Sequence, residues 1–325
     1  MKFIGTARII ILGLLMIGLT NIQAQTIQEA QEAANNGLRL QKTDVNASIE
    51  AYINCLELCK SLGDEAMAVK TLAEKNLPVA YYSIGTALLK EKKYDEAIAS
   101  FESTYDIAEQ YNSTTVKNRC KGYLPQLYYN KGTGYYKSSN YPSAIECFNK
   151  AIQWNQNYFK AHLGKGNVYK KQGDLENLKL TMAMAKQVSV AKGDITNANK
   201  ADKLVSDFLI KLGANYLNNN KTSEAVVSLE EALFYGENNI ETLYWLSSAY
   251  NKQGKYDKAI TSINKAISIE KGGNEKAARL YYELGTSYKG KRDTGKACES
   301  FKKAKFGKYI ESATYEITEV LKCDG

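Results

Sequence analysis

A 34-residue pattern that keeps returning constrains this chain more than any single residue in it. Each copy has two parts. The first carries a large residue, a glycine or serine four places later and, in five of six copies, a tyrosine three places after that. The second carries a small or apolar residue, a bulky one four places on and a small one three places further. The copies run through Tyr81, Gly85, Ala97 and Phe101; Tyr128, Gly132, Ala144 and Phe148; His162, Gly166, Leu178 and Met182; Leu209, Gly213, Ala225 and Leu229; Leu243, Ser247, Ala259 and Ile263; and Tyr281, Gly285, Ala297 and Phe301. The small residues at 85, 132, 166, 213, 247 and 285 are therefore 47, 34, 47, 34 and 38 apart, a 34-residue unit with two insertions of 13 and one of 4. Spacings of three and four put the large residues on one stripe of each helix, and that stripe must be buried. The small residues mark places where two helices cross too closely for a larger side chain. A lone pair cannot cover its own stripe, whereas stacked neighbours can.

These residues and spacings resemble the tetratricopeptide repeat (TPR). The resemblance implies an all-α fold, an α-solenoid of about six clear TPR helix pairs at 78–111, 125–158, 159–192, 206–239, 240–273 and 278–311. A degenerate N-terminal helical repeat over 25–77 precedes them, with Ile27 to Leu40 and Asn46 to Ser61 as an amphipathic pair and Asp64 to Leu77 as further helix. A C-terminal cap over 312–325 follows, overlapping one more amphipathic helix from Tyr309 to Lys322. The family's usual proline at the end of each unit is missing, with Gln156, Glu237 and Lys271 in three of those places. Second helices are therefore expected to run on into the insertions, through Tyr105 to Asn118 and Lys186 to Lys200.

The first residues read as an export signal: Lys2 and Arg8, an apolar core from Ile9 to Leu19, and Ile22-Gln23-Ala24 before a cleavage point. Residues 1–24 are expected to be a signal peptide, and the mature chain to be exported to a Gram-negative periplasm or secreted. An apolar core of about 11 residues is too short to cross a bilayer and nothing comparable recurs, so no membrane span is expected in the mature chain. The net charge of +8 falls to +6 without Lys2 and Arg8, and acids and bases are interleaved without a concentrated basic stripe. That argues against nucleic acid as a partner. Six cysteines in an exported chain raise the question of disulfides. Cys55, Cys59, Cys120 and Cys147 fit small buried thiols. If a single bridge forms, Cys298 with Cys323 is the pair that ties a terminal helix to the last repeat.

No catalytic constellation is legible. The one histidine, His162, stands in the large-aromatic slot of its repeat and reads as a packed side chain. No cysteine and histidine cluster has zinc spacing, and no strand-to-helix turn presents a serine to His162. Gly290, Gly295 and Lys296 approach a phosphate-binding loop, but Ala297 stands where Ser or Thr would hold magnesium. Neither catalytic residues nor a cofactor or metal site is expected, and the chain does not read as an enzyme.

In the TPR family the first helix of each pair lines a concave groove in which a partner's segment lies. The resemblance assigns to it the residues one, five and eight places after the large-aromatic slot. The expected partner-binding set is Tyr82, Thr86, Tyr129, Thr133, Tyr136, Asn167, Lys170, Tyr244, Ser248, Asn251, Tyr282, Thr286 and Lys289. Tyrosine suits recognition because it offers a large rigid surface and a hydroxyl, although tyrosines at these places are also typical of the repeat itself. The family's clamp for a terminal carboxylate is approached only by Asn167 and Lys170, so none is expected. The function implied is a non-catalytic protein–protein interaction scaffold holding a protein or peptide partner in the groove. The alternative is a glycan or peptidoglycan-binding envelope protein, motivated by the tyrosine faces and the amides of Asn167 and Asn251.

Overall fold

The computed structural model describes residues 26–236 and 238–323. The signal peptide expected over 1–24 lies outside them. Among the described residues the regular elements are all helical. They are α1 over 26–40, α2 Val45–Leu62, α3 Met67–Lys90, α4 Tyr94–Gln110, α5 Thr114–Lys137, α6 Tyr141–Trp154, α7 Phe159–Gln172, α8 Leu175–Ala191, α9 Ile195–Asn218, α10 Thr222–Tyr235, α11 Ile240–Lys252, α12 Tyr256–Ile269, α13 Gly273–Gly290, α14 Thr294–Lys303 and α15 Ile310–Tyr315. This is an all-α solenoid of helix hairpins. It divides between Ala161 and His162 into two compact units.

One turn design makes most of the hairpins. The residue in the turn takes a left-handed conformation, with φ of +62° at Lys92, +61° at Ser139, +78° at Gly173, +57° at Asn220, +69° at Gly254 and +64° at Arg292. The next backbone N–H then reaches back to the helix end, as Lys93 does to Leu88 O at 2.9 Å and Asn140 to Tyr135 O at 2.9 Å. This satisfies carbonyls that the helix end leaves open. The following helix is frequently capped by a side chain. Asn140, Asp174, Asn239 and Asp293 each accept the N–H three residues on.

Inside each pair, a small residue on the first helix meets a bulky one on the second. A Cβ placed on Gly85 would stand 2.8 Å from the Phe101 ring, and the distances for Gly132 to Phe148, Gly213 to Leu229 and Gly285 to Phe301 are 2.9, 2.6 and 2.8 Å. In each of these pairs the partners are 16 residues apart. Gly37 and Tyr52, at 2.6 Å, repeat the arrangement between α1 and α2, and Ser48 donates to the Gly37 carbonyl at 2.7 Å. The N-terminal pair is thus built on the same crossing as the others.

The insertions do not lengthen the second helices through Tyr105 to Asn118 and Lys186 to Lys200. Turns with Asn112 at φ +54° and Gly193 at φ +70° end α4 at Gln110 and α8 at Ala191. Of the 13 extra residues, 3 extend α4 and α8, which have 17 residues against 14 in α6, and 10 extend α5 and α9, which have 24 against 14 in α7. At 1.5 Å per residue the long first helices measure about 36 Å and the short one about 21 Å. α3 also has 24 residues, so the helix expected to continue over Asp64 to Leu77 runs, from Met67 on, straight into the first clear repeat. Pro78 and Pro125 lie inside α3 and α5, seven residues before the crossing glycine. Both helices run through a residue that ordinarily ends one. The C-terminal helix expected over Tyr309 to Lys322 forms over 310–320, opening on a 3₁₀ turn Gly307–Tyr309 and passing from α15 directly into a π turn Glu316–Val320. Cys323, just beyond, is bonded to Cys298 of α14.

Candidate functional site

The first helices present the residues expected to meet a partner, and in both units those residues also join one first helix to the next. In the first unit, the Tyr82 ring on α3 lies 5.6 Å from Phe101 and 6.2 Å from Tyr123 of α5, whose ring stacks on Phe101 at 5.1 Å and 3°. The Arg119 guanidinium of α5 stands 5.6 Å from the Tyr82 centroid. Burial, and then the hydroxyl contact with Tyr123, push the Tyr82 phenol up to about 12. On α5, Tyr129 packs 5.9 Å from Phe148 and edge-on to Tyr158 at 6.0 Å, and Tyr158 donates to Gln126 at 2.6 Å. Thr86 donates to the Ser83 carbonyl and Thr133 to the Tyr129 carbonyl, so both hydroxyls are turned onto their own helix. Tyr136 ends this stripe, 6.2 Å from Tyr141.

The second unit also sets a cation over its first-place tyrosine and adds carboxylates beside it. Arg279 of α13 stands 5.0 Å over the Tyr244 ring of α11 and donates to Glu241 at 2.7 Å, while the Trp245 indole donates to the other Glu241 oxygen at 2.8 Å. Asn251, eight places after the slot residue, donates to Glu283 at 2.7 Å and to the Ser287 hydroxyl at 2.9 Å. Glu283 is buried, and burial raises its carboxyl above the ordinary range against the opposing pull of the Asn251 hydrogen bond. Tyr244 is pushed up to about 12, by burial first and the Glu283 carboxylate second. On α13, Tyr282 is 5.2 Å from Phe301 and 5.4 Å from Tyr309, Thr286 donates to the Tyr282 carbonyl, and Lys289 binds both oxygens of Glu316 at 2.6 and 2.7 Å. Ser248, Asn167 and Lys170 are half-buried on their helices.

Two expected contacts are therefore already engaged within the chain: the Asn251 amide by Glu283 and Ser287, and the Lys289 ammonium by Glu316. The residues the expected set lacks are their partners on the following helix, namely Arg119, Tyr123, Arg279, Glu283 and Glu316. They stand 27 to 41 residues after the residue they meet. That variable distance is why a fixed spacing does not reveal them. His162 is buried in α7, and the Gly290 to Lys296 stretch is the α13–α14 hairpin, where Gly290 packs against the Tyr256 ring. The Cys55, Cys59, Cys120 and Cys147 thiols are buried, and burial holds Cys120 up to about 11, far from a reactive thiolate at neutral pH. No group of three or more possible metal ligands exists among the described residues, and no helix there is long and apolar enough to cross a membrane.

Comparison with known proteins identifies the repeat. Tetratricopeptide-repeat family models match residues 78–111, 240–272 and 278–305, and a further TPR-repeat model matches 132–173. No curated protein matches the chain. Among solved structures it is similar to YrrB, described as a TPR protein with an unusual peptide-binding site, at 20% identity over 55% of this chain and 84% of that one, with a TM-score of 0.33. It is also similar to MamA protein, at 21% identity over 63% and 100% with a TM-score of 0.38. The C-terminal part of a TPR repeat-containing protein from Cytophaga hutchinsonii is 18% identical over 86% and 98%, with a TM-score of 0.39.

Proposed function

Since this chain is a tetratricopeptide-repeat protein, a fold that generally mediates protein–protein interaction and is typically non-catalytic, we propose that it is a scaffold that holds a partner's segment against its first helices. The observation that carries this reading is the stripe at places one, five and eight. Tyr82, Thr86 and Leu89 on α3, and Tyr129, Thr133 and Tyr136 on α5, follow one another at helical spacing and stay half-buried rather than covered. The second helices of the same unit instead turn polar residues such as Glu146, Asn149 and Lys150 to solvent. Half-exposed tyrosines held rigid by their neighbours offer contact area at little cost in conformational entropy.

The proposed setting is the periplasm or the space outside the cell. The basic and apolar start of the sequence supports it, as does the Cys298–Cys323 bridge, since such bonds persist in oxidising compartments. The glycan alternative is weakened because one of its two amides, Asn251, is spent on Glu283 and Ser287. In-cell photocrosslinking tests the scaffold reading. A benzophenone amino acid at Thr86, Thr133 or Ser248 is expected to capture one and the same protein, and the same probe at Glu146 or Asn264 is expected to capture nothing. Capture from the second-helix positions alone would refute it.

A further inference from the structure

The segment after α14 meets the face of α13 in the way that α13 meets the face of α11. On α11, Tyr244 receives Arg279 at 5.0 Å and Asn251 donates to the carboxylate of Glu283 at 2.7 Å. On α13 the corresponding Tyr282 receives the Tyr309 ring at 5.4 Å, and Lys289 binds the carboxylate of Glu316 at 2.6 Å. A carboxylate on the incoming helix thus answers the eighth-place residue both times. The two incoming elements are held very differently. α13 buries Ala278, Leu280, Glu283, Leu284, Gly285 and Ser287. Between 307 and 320 the terminal segment buries only Ala313, and it leaves Ile310, Tyr315 and Val320 exposed at 49, 60 and 44%. Its far end is fastened by the covalent bond from Cys323 to Cys298 on α14, beside the half-buried Ile317 and Leu321.

We infer that residues 309–320 are an exchangeable occupant of the last first-helix face, latched by the Cys298–Cys323 disulfide. The surface beneath fits a partner's amphipathic helix that carries an aromatic ring and, two turns later, a carboxylate. Tyr309 and Glu316, seven residues apart, are the resident copy of that chemistry. Lys289 supplies the charge complementarity, and it keeps 34% of its side chain exposed even when paired. The latch opens by thiol–disulfide exchange with a dithiol reductant. One reductant thiolate attacks a sulfur of the bridge, and the displaced sulfur leaves as a thiolate and is protonated. The reductant's second thiol then resolves the mixed disulfide, leaving two protein thiols and an oxidised reductant. While the latch is closed, the tether keeps the resident segment at a high effective concentration and excludes a free helix. Once open, the segment keeps its ring contact, its ion pair and the small apolar contact that Ala313, Ile317 and Leu321 make with α13 and α14, and loses the covalent bond at its end. The inference rests on the scaffold reading for its meaning to a partner, but its probe is the chain's own sequence, so a negative result leaves that reading standing.

The test is fluorescence anisotropy of a labelled synthetic peptide of residues 308–322 against the full chain, oxidised, reduced with dithiothreitol, or carrying Cys323→Ser. The peptide is expected to bind the reduced and Cys323→Ser proteins at least tenfold more tightly than the oxidised one. A Glu316→Lys peptide is expected to lose that binding and to regain it on a Lys289→Glu, Cys323→Ser protein. Unchanged hydrogen exchange in α11 to α13 serves as the folding control. Equal affinity for latched and unlatched protein, no binding to either, or indifference to the exchanged charges would overturn the inference.

Discussion

Between α3 and α5 of the first unit, Tyr82 is met by Tyr123 and Arg119, and Tyr129 is met by Tyr158 further on. Between α11 and α13 of the second unit, Tyr244, at the place of Tyr82, is met by Arg279, and Asn251, at the eighth place, is met by Glu283. The crossing beneath is the same in both, a glycine under a ring so close that an added Cβ would stand 2.8 Å from it, in Gly85 with Phe101 and in Gly285 with Phe301. The crossing sets where the helices lie, and the joint between successive first helices is then free to differ in chemistry. One joint is made of rings with the Arg119 cation over Tyr82, whereas the other carries a buried carboxylate and the Arg279–Glu241 ion pair.

The largest expected effect tests the shared frame. Gly85→Leu and Gly285→Leu each force a side chain into a ring, and overpacking of this kind should cost about 3 kcal/mol in the unit concerned. Urea unfolding followed by hydrogen exchange in each unit reads it, and a large loss in one unit with none in the other would break the comparison. Next in size, Glu283→Ala leaves the Asn251 amide without its buried acceptor and should cost the second unit about 2 kcal/mol.

The joints should also differ in pH response. The Glu283 carboxyl is raised in the folded chain, so the stability it contributes is present below its unfolded value and is lost as pH rises through the folded one. Thermal melts of the second unit should therefore weaken as pH rises above the ordinary carboxylate range. Glu283→Gln should flatten that slope and leave the first unit unchanged. The Tyr82 phenol, raised to about 12, obeys the same sign at the alkaline end: its contribution holds below pH 10 and is lost on approach to 12. Smaller again, Tyr128→Phe removes the hydrogen bond to Glu102 at 2.8 Å and should cost the first unit about 1 kcal/mol. Lys289→Met should cost the second less than about 1 kcal/mol, and less still in 1 M salt, by melting temperature.

The six clear pairs were legible because a small residue and a bulky one recur at a fixed distance, and that distance is dictated by two helices crossing. The N-terminal pair showed less because Gly37 and Tyr52 are 15 residues apart rather than 16, and its step to Gly85 is 48. The continuation of α3 and α5 through Pro78 and Pro125 was hidden for another reason. Local propensity ends a helix there, and packing in the stack overrides it. The Cys298–Cys323 pair was readable as the one bridge that would tie the terminus down, but the change of the terminal helix from α to π at Glu316 was not. Of the candidate site, the tyrosines and threonines of the stripe were readable from their place in the repeat. Arg119, Tyr123, Glu283 and Glu316 were not, since each comes from the next helix, whose start moves with every insertion.

The face of the first helices is tested most directly by charge that protrudes from it without disturbing the joints. Thr86→Arg, Thr133→Arg and Ser248→Arg can be compared with Glu146→Arg and Asn264→Arg, in affinity for the crosslinked partner and in melting temperature. The expected result is at least a tenfold loss of affinity for the first three at an unchanged melting temperature, and no loss for the last two. Full affinity in the first three, or a loss confined to the last two, would contradict the placement of the partner on the first helices.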